Sequence, residues 1–196
     1  MDTNENVTAN ESIGDLIGAA VERAVPVVAG IEDKALAEPT PCADYDVKAL
    51  VNHLFQVVVQ FQKLAAKQQD DFTVTPDFVS RDGWRERFAA EAGALVAAWS
   101  APGAEDGTTG AMNMPARLVG SMALLDLTVH AWDLARATGR PFEPAPRAVA
   151  PLAAAVAELG PTARSMGVFG EPVAVGEDAS AFERLLAATG RDPVRG

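Results

Sequence analysis

The segment PARLVGSMALLDLTVHAWDLARATGR, residues 115–140, decides the fold of this chain. Large apolar side chains recur in it at alternating intervals of four and three residues, the spacing of an amphipathic helix; they are Leu118, Met122, Leu125, Val129 and Trp132. Pro115 is suited to the first helical turn, and Gly139 followed by Pro141 is typical of the end of a helix. The segment therefore predicts one long helix with an apolar face.

Three further helices are predicted before this segment, by the same periodicity and by residues that commonly cap helices. Their predicted bounds are Ser12 to Gly30, with Ser12 as the cap; about 47–69, capped by Asp46; and about 81–100, opened by Ser80. The glycine-rich residues 101–114 are predicted to form a loop. Residues 1–10 are polar and are predicted to be frayed.

Beyond residue 140 the pattern is less regular. An Ala-rich helix is predicted over about 146–159, a strand-like segment over FGEPVAV at 169–175, and a last short helix from Asp178 to Ala188. Four long helices without alternating strands indicate an all-α four-helix bundle over about 11–140. The short C-terminal helices form an extension over about 146–190, and all 196 residues are expected to form a single domain.

The composition narrows the classes of partner. Acidic residues outnumber basic ones 27 to 16, which gives a net charge of −11 at pH 7. Such a field repels phosphate backbones and anionic lipid, so neither nucleic acid nor a membrane surface is an expected partner. The chain has one cysteine and no N-terminal apolar run of the signal-peptide type. We therefore expect a cytoplasmic protein. Its expected partner is a small-molecule substrate, and the composition leaves a homodimer open.

The chain has only two histidines, His53 and His130. On a helix, residues four apart share a face, so Asp126 and His130 can direct a carboxylate and an imidazole at the same point. His53 lies midway along another predicted helix, from which it can supply a third ligand inside a bundle. Two histidines and one carboxylate leave coordination positions open, which is typical of a catalytic divalent metal.

Spacing alone leaves other interpretations of these residues open, because 27 of the 196 residues are acidic and many histidines have an acid nearby by chance. His53 can be an ordinary residue of a helix surface. Asp126 and His130 can form a hydrogen-bonded pair in the core, or an exposed pair that binds nothing. The pattern therefore predicts a metal site without excluding a purely structural role.

Three other residues carry reactive or charged side chains that are candidates for chemistry. Asp133 is expected to form an ion pair with Arg136, which lies three residues later on the same helix. Cys42, the single cysteine, is expected to be a small packing residue beside a proline. Arg164 can reach an anionic substrate, but a structural ion pair is the expected role. None of the three is therefore included in the predicted metal site.

Three segments carry a resemblance to a known family: PTPCADYDVKALVNHL at 39–54, GAMNMPARLVGSMALLDLTVHAWDLARATGR at 110–140 and FGEPVAVGEDASAFERLLAATGRDP at 169–193. Together they resemble the DinB/YfiT-like superfamily, and more closely its short members named after the metal-binding domain of mycothiol-dependent maleylpyruvate isomerase. The resemblance implies a four-helix bundle with a divalent metal, held by a histidine of the second helix and an acid-x-x-x-His pair of a later one. In this chain these ligands are His53, Asp126 and His130, and Asp126 stands where the isomerase has glutamate.

The resemblance also implies a chemistry. Members of the superfamily are similar in activating a low-molecular-weight thiol, such as mycothiol, for transfer or for addition and elimination. The leading hypothesis is therefore a metal-dependent thiol transferase or isomerase-like enzyme that acts on a small electrophilic substrate. Zinc is the first choice of metal, with nickel and iron as alternatives. A metal-dependent hydrolase and a non-catalytic bundle that binds a metal or a small ligand are the competing hypotheses.

Overall fold

The computed structural model describes residues 11–194. Within that range the chain forms a short 3-10 turn at Asp33–Ala35 and an antiparallel hairpin of β1 (Thr108–Thr109) and β2 (Met114–Pro115). Its α-helices are α1 (Ile13–Ala29), α2 (Val47–Ala65), α3 (Trp84–Trp99), α4 (Ala116–Ala137), α5 (Pro146–Ser165) and α6 (Ala181–Ala188). The expected all-α architecture is confirmed, and the prediction for residues 1–10 lies outside the described residues.

Helices α1 to α4 form the bundle. α1 and α2 each pack against both α3 and α4, so the apolar faces of all four helices meet in one core. Its fully buried side chains come from every helix and include Leu16, Phe55, Phe88, Trp99 and Leu124. The contact of α2 with α4 positions the candidate site, because the predicted ligands lie on these two helices.

Predicted caps are confirmed where a side chain meets free backbone N–H groups at a helix start. The Ser12 hydroxyl accepts a hydrogen bond from the N–H of Asp15, and the Asp46 carboxylate accepts one from the N–H of Ala49. At the end of α4, Gly139 has a φ of +65°, a left-handed conformation that glycine adopts without strain. α1 and α4 therefore match their predicted bounds closely.

Two helices of the bundle are shorter than predicted. α2 ends at Ala65 instead of about residue 69, because the chain turns at Lys67, whose φ is +58°. α3 begins at Trp84 instead of about residue 81, and Ser80 does not cap it. The Ser80 hydroxyl donates to the carbonyl oxygen of Asp77, so the preceding turn uses it. Both differences arise from local turns that hydrophobic periodicity does not reveal.

In the C-terminal extension the structure differs more from the prediction, both in the length of α5 and in the segment that follows it. α5 continues to Ser165 instead of residue 159, because its packing against α4 and α6 outweighs the cost of Pro161 inside the helix. The described residues 169–175 form no strand, so that prediction is wrong. Their N–H groups find no neighbouring strand, and Val173 donates instead to the carbonyl oxygen of Ala187.

The last helix, α6, begins later than predicted, at Ala181 instead of Asp178. A capping box fixes this start: the Ser180 hydroxyl accepts from the N–H of Glu183, and the Glu183 carboxylate accepts from the N–H of Ser180. α6 packs against α5, and α5 packs against α4, which attaches the extension to the bundle. The assignment of all 196 residues to one domain stays a prediction.

The long helix α4 is apolar because it lies at the centre of the fold. By length and composition alone it could cross a membrane, since the mean hydropathy of its most apolar window is 1.2. However, 78% of that window is buried inside the protein. α4 packs against α1, α2 and α5 and so contacts neighbours on several faces. Its hydropathy therefore reflects packing within the bundle.

A glycine allows α4 to approach its neighbours closely. Gly120 is buried in the middle of α4. A Cβ atom placed on it would lie 2.5 Å from Cγ2 of Ile13 in α1 and 2.9 Å from Cζ3 of Trp99 in α3. These distances are shorter than any normal carbon contact, so three helices pack together here only because residue 120 has no side chain.

We predict that Gly120→Ala lowers the free energy of unfolding by about 1–2 kcal/mol, because overpacking costs about 1–3 kcal/mol and better helix propensity offsets only part of it. The matched control is Gly93→Ala in α3, where an added Cβ meets no atom within 4 Å. This control should raise the free energy of unfolding by about 0.5–1 kcal/mol. Urea unfolding measures both changes, and equal stabilisation by both substitutions would contradict the packing role of Gly120.

Candidate metal centre

Three side chains from two helices meet where α2 packs against α4. His53 lies in the middle of α2, and Asp126 and His130 lie one helical turn apart in α4. One potential ligand atom of each residue lies within 4.8 Å of those of the other two. The structure thus brings together all three residues that the sequence predicts as ligands. We refer to His53, Asp126 and His130 as the three-residue cluster.

The facing atoms of the three-residue cluster are not hydrogen-bonded to one another. His130 Nε2 lies 3.6 Å from Asp126 Oδ1, which is too long for a hydrogen bond. Across residues 11–194, the side chains of His53 and Asp126 also form no hydrogen bond with other groups. Two imidazoles and a carboxylate with free lone pairs are a donor set that suits a divalent metal such as zinc. The residues therefore fit the metal implied by the sequence, and their role as ligands stays a prediction.

His53 is half-buried between two rings and is not an ordinary residue of a helix surface. Its imidazole stacks on the Tyr45 ring, with centroids 5.3 Å apart and an interplanar angle of 19°. It meets the His130 ring at 5.1 Å and 90°. Burial lowers the pKa of His53, an effect that the nearby Asp126 carboxylate only partly opposes. The imidazole is therefore neutral at pH 7, the form in which histidine binds a metal.

Asp133 is fully buried beside the cluster, and its expected ion pair with Arg136 is wrong. The Asp133 carboxylate lies 2.9 Å from Nδ1 of His130. Because an ionised carboxylate can only accept, Nδ1 donates, and in the neutral imidazole this leaves Nε2 of His130 with its lone pair toward Asp126. Arg136 instead lies over the ring of Trp132, 5.8 Å from its centroid. Asp133 thus orients a predicted ligand.

Arg191 is the residue of this site that the sequence did not reveal. Its Nη2 donates to Asp133 Oδ2 at 3.0 Å, and its Nε donates to Oδ1 at 3.3 Å. Burial alone would raise the pKa of Asp133, but the His130 hydrogen bond and the Arg191 charge outweigh burial and hold that pKa below its usual value. Arg191 lies 58 residues after Asp133, so no helical spacing links them. The sequence held one indication of its importance: Arg191 lies in GRDP, residues 190–193, at the end of the third segment that carries the family resemblance.

A cavity of about 340 Å³ opens onto the three-residue cluster. Its walls come from the loop before α2, from α4 and from the C-terminal extension. The apolar lining includes Leu125, Val129, Val168 and Phe169. A small molecule that reaches the cluster therefore contacts both the bundle and the extension, and the cavity walls bury part of its surface.

Cys42 takes the structural role expected for it, whereas the ion pair expected for Arg164 is wrong. Cys42 packs against the core, and its thiol lies within 4.8 Å of donor atoms of His130 and Asp133. Those two residues are already hydrogen-bonded to each other, and burial raises the pKa of the Cys42 thiol, so this second group suits a metal poorly. In the described part of the chain Arg164 forms no ion pair, and it donates to the carbonyl oxygen of Ala188 at 3.4 Å.

Two curated proteins are similar to this chain over most of their length. Both are uncharacterized proteins of Mycobacterium tuberculosis, from two different strains. Each is 30% identical to this chain over 147 residues, which cover 72% of this chain and 76% of the relative. Their names assign no activity that could be compared with the site. No solved structure is significantly similar to this chain.

A family model, described as the mycothiol maleylpyruvate isomerase N-terminal domain, matches residues 17–135 of this chain. The matched range is more than half of the chain and contains the whole three-residue cluster. The family is metal-binding and linked to mycothiol. The helical bundle and the three-residue cluster both lie within or overlap the range that the family model matches. This chain therefore belongs to the mycothiol maleylpyruvate isomerase N-terminal domain family, within the DinB-like superfamily.

Proposed function

We propose that this protein is a divalent-metal-dependent enzyme that activates a low-molecular-weight thiol of the mycothiol type. The thiol would add to a small electrophilic substrate and remain bonded to it, or it would add and then be eliminated again once the substrate has isomerised. The observation that carries the proposal is the three-residue cluster of free donors beside a cavity, in a chain whose family is linked to mycothiol. Zinc is the metal that we propose first, because two imidazoles and one carboxylate are common zinc ligands.

The donor set accounts for the proposed chemistry. His53, Asp126 and His130 would hold the metal, and three protein ligands leave a further position open. A thiol bound by a divalent metal loses its proton outright, although a free thiol has a pKa near 8.5. The metal would therefore lower the pKa of the bound thiol, which would release its proton to water and be a thiolate at neutral pH.

The remaining residues of the site prepare this chemistry. Asp133 holds the ring proton of His130 on Nδ1, and the ring of Tyr45 covers one face of His53. Leu125 and Phe169 give the cavity an apolar wall that excludes water from part of a bound substrate. Because burial raises the pKa of Cys42, its thiol stays protonated at pH 7 and does not compete as a nucleophile.

We predict that His53→Ala, Asp126→Ala and His130→Ala each remove most of the bound metal, because each deletes one of three ligands. Zinc content measured by elemental analysis should fall from about one equivalent to a small fraction of that. The control is Cys42→Ala, which removes a donor that lines the same cavity and should leave the zinc content unchanged. Loss of zinc in the Cys42 variant alone would show that the ligands are assigned wrongly.

The length of the Asp126 side chain gives a second prediction. If the site is built around the shorter carboxylate, Asp126→Glu should weaken zinc binding, though less than Asp126→Ala, because ligand distances tolerate only about 0.2 Å of change. Calorimetric titration of the three metal-free proteins ranks their affinities. Tighter binding by the Glu variant would indicate that the wild-type site is a weakened remnant. Three equal isotherms would remove Asp126 from the site.

The thiol step is tested by thermal stability. We expect mycothiol to stabilise the zinc-loaded protein by about 2.7 kcal/mol at one hundred times its Kd, since a ligand that binds the native state stabilises it by mass action. The matched control ligand is the analogue in which a hydroxyl replaces the thiol, used at the same concentration as mycothiol. The control protein is the metal-free form. Equal stabilisation by the hydroxyl analogue, or of the metal-free protein, would contradict thiol activation and favour a non-catalytic binding bundle.

A further inference from the structure

A continuous chain of polar contacts links the C-terminal extension to the three-residue cluster. Arg191, which follows α6, donates two hydrogen bonds to Asp133. Asp133 accepts the Nδ1 hydrogen bond of His130, and Nε2 of the same ring faces Asp126. Arg191 and Asp133 are both buried, with 9% and 0% of their surface exposed, so water does not replace these contacts.

The backbone around Arg191 is built to hold this arrangement. The N–H of Arg191 donates to the carbonyl oxygen of Leu186, and its Nη1 donates to that of Thr189. Gly190 has a φ of +89°, and a Cβ atom on it would lie 2.6 Å from the Cα of Gly170. Only glycine fits at residue 190, so the two segments of the extension meet there and direct the Arg191 side chain into the site.

We propose that Arg191 is a positioning residue that acts through Asp133 to orient His130, so that the C-terminal extension completes the metal centre. This inference rests on the proposed metal site but not on the thiol chemistry. Both carboxylate oxygens of Asp133 accept from the guanidinium, so the carboxylate is fixed in the orientation that receives Nδ1–H. Without that clamp the His130 ring keeps neither a fixed orientation nor a single tautomer.

Zinc affinity of the 196-residue protein is the first measurement. Arg191→Met and Asp133→Asn should weaken zinc binding by about 10- to 100-fold, the usual effect of losing a residue that orients a metal ligand. Arg191→Lys, which keeps the charge but not the paired hydrogen bonds, should recover part of the affinity. The matched control is Arg85→Met. Like Arg191, Arg85 donates to a backbone carbonyl oxygen, that of Ile31, and to an aspartate, Asp33. All three residues lie outside the cavity lining. The Arg85→Met variant should bind zinc as wild type does.

The second measurement is the tautomer of His130 in the metal-free protein, read by ¹⁵N NMR of the imidazole. The wild type should show the proton on Nδ1 alone, and Arg191→Met should show a mixture of both tautomers. A purely structural role of Arg191 would lower stability without changing the tautomer or the zinc affinity, and that result would overturn the proposal. If the wild type binds no zinc, the proposed function fails, and the tautomer alone decides whether Arg191 positions His130.

Discussion

The buried carboxylate of Asp133 is the constraint on which the rest of the site depends. Asp133 has none of its surface exposed, and an unpaired charge in that position costs several kcal/mol. It is stable there because one helix supplies His130 and the extension supplies Arg191. The same contacts that compensate the buried charge also determine which nitrogen of His130 is free. The folded extension therefore holds a residue of the proposed metal centre in place.

The bundle supplies the second requirement, a fixed distance between helices. Gly120 lets α4 lie close to Ile13 of α1 and to the Trp99 side chain of α3, and the apolar core holds α2 against α4. As a result, His53 of α2 lies next to Asp126 and His130 of the adjacent helix α4. Side chains on packed helices are held more rigidly than side chains on loops, which is what a metal site with short, defined ligand distances needs.

Local features of the sequence predicted much of this structure. Local turns and a capping box shifted several helix ends, and contacts between distant residues explain the larger differences. The caps Ser12 and Asp46 and the four-residue spacing of Asp126 and His130 depend on neighbours within one helical turn. Helical spacing also paired Asp133 with Arg136, but it holds no information on burial, and the arginine that does pair with Asp133 lies 58 residues away. The strand expected at 169–175 was wrong for a related reason, since a strand forms only where another segment can pair with it.

The central claim, that His53, Asp126 and His130 form a metal centre, is tested most directly by the metal content of the 196-residue protein purified without chelator. The account predicts about one equivalent of a divalent metal per chain, retained through gel filtration and removed by a strong chelator while the circular dichroism stays helical, because the apolar core and not the metal holds the bundle. Protein that contains no divalent metal, and that takes up none from a zinc-buffered solution, would contradict the account.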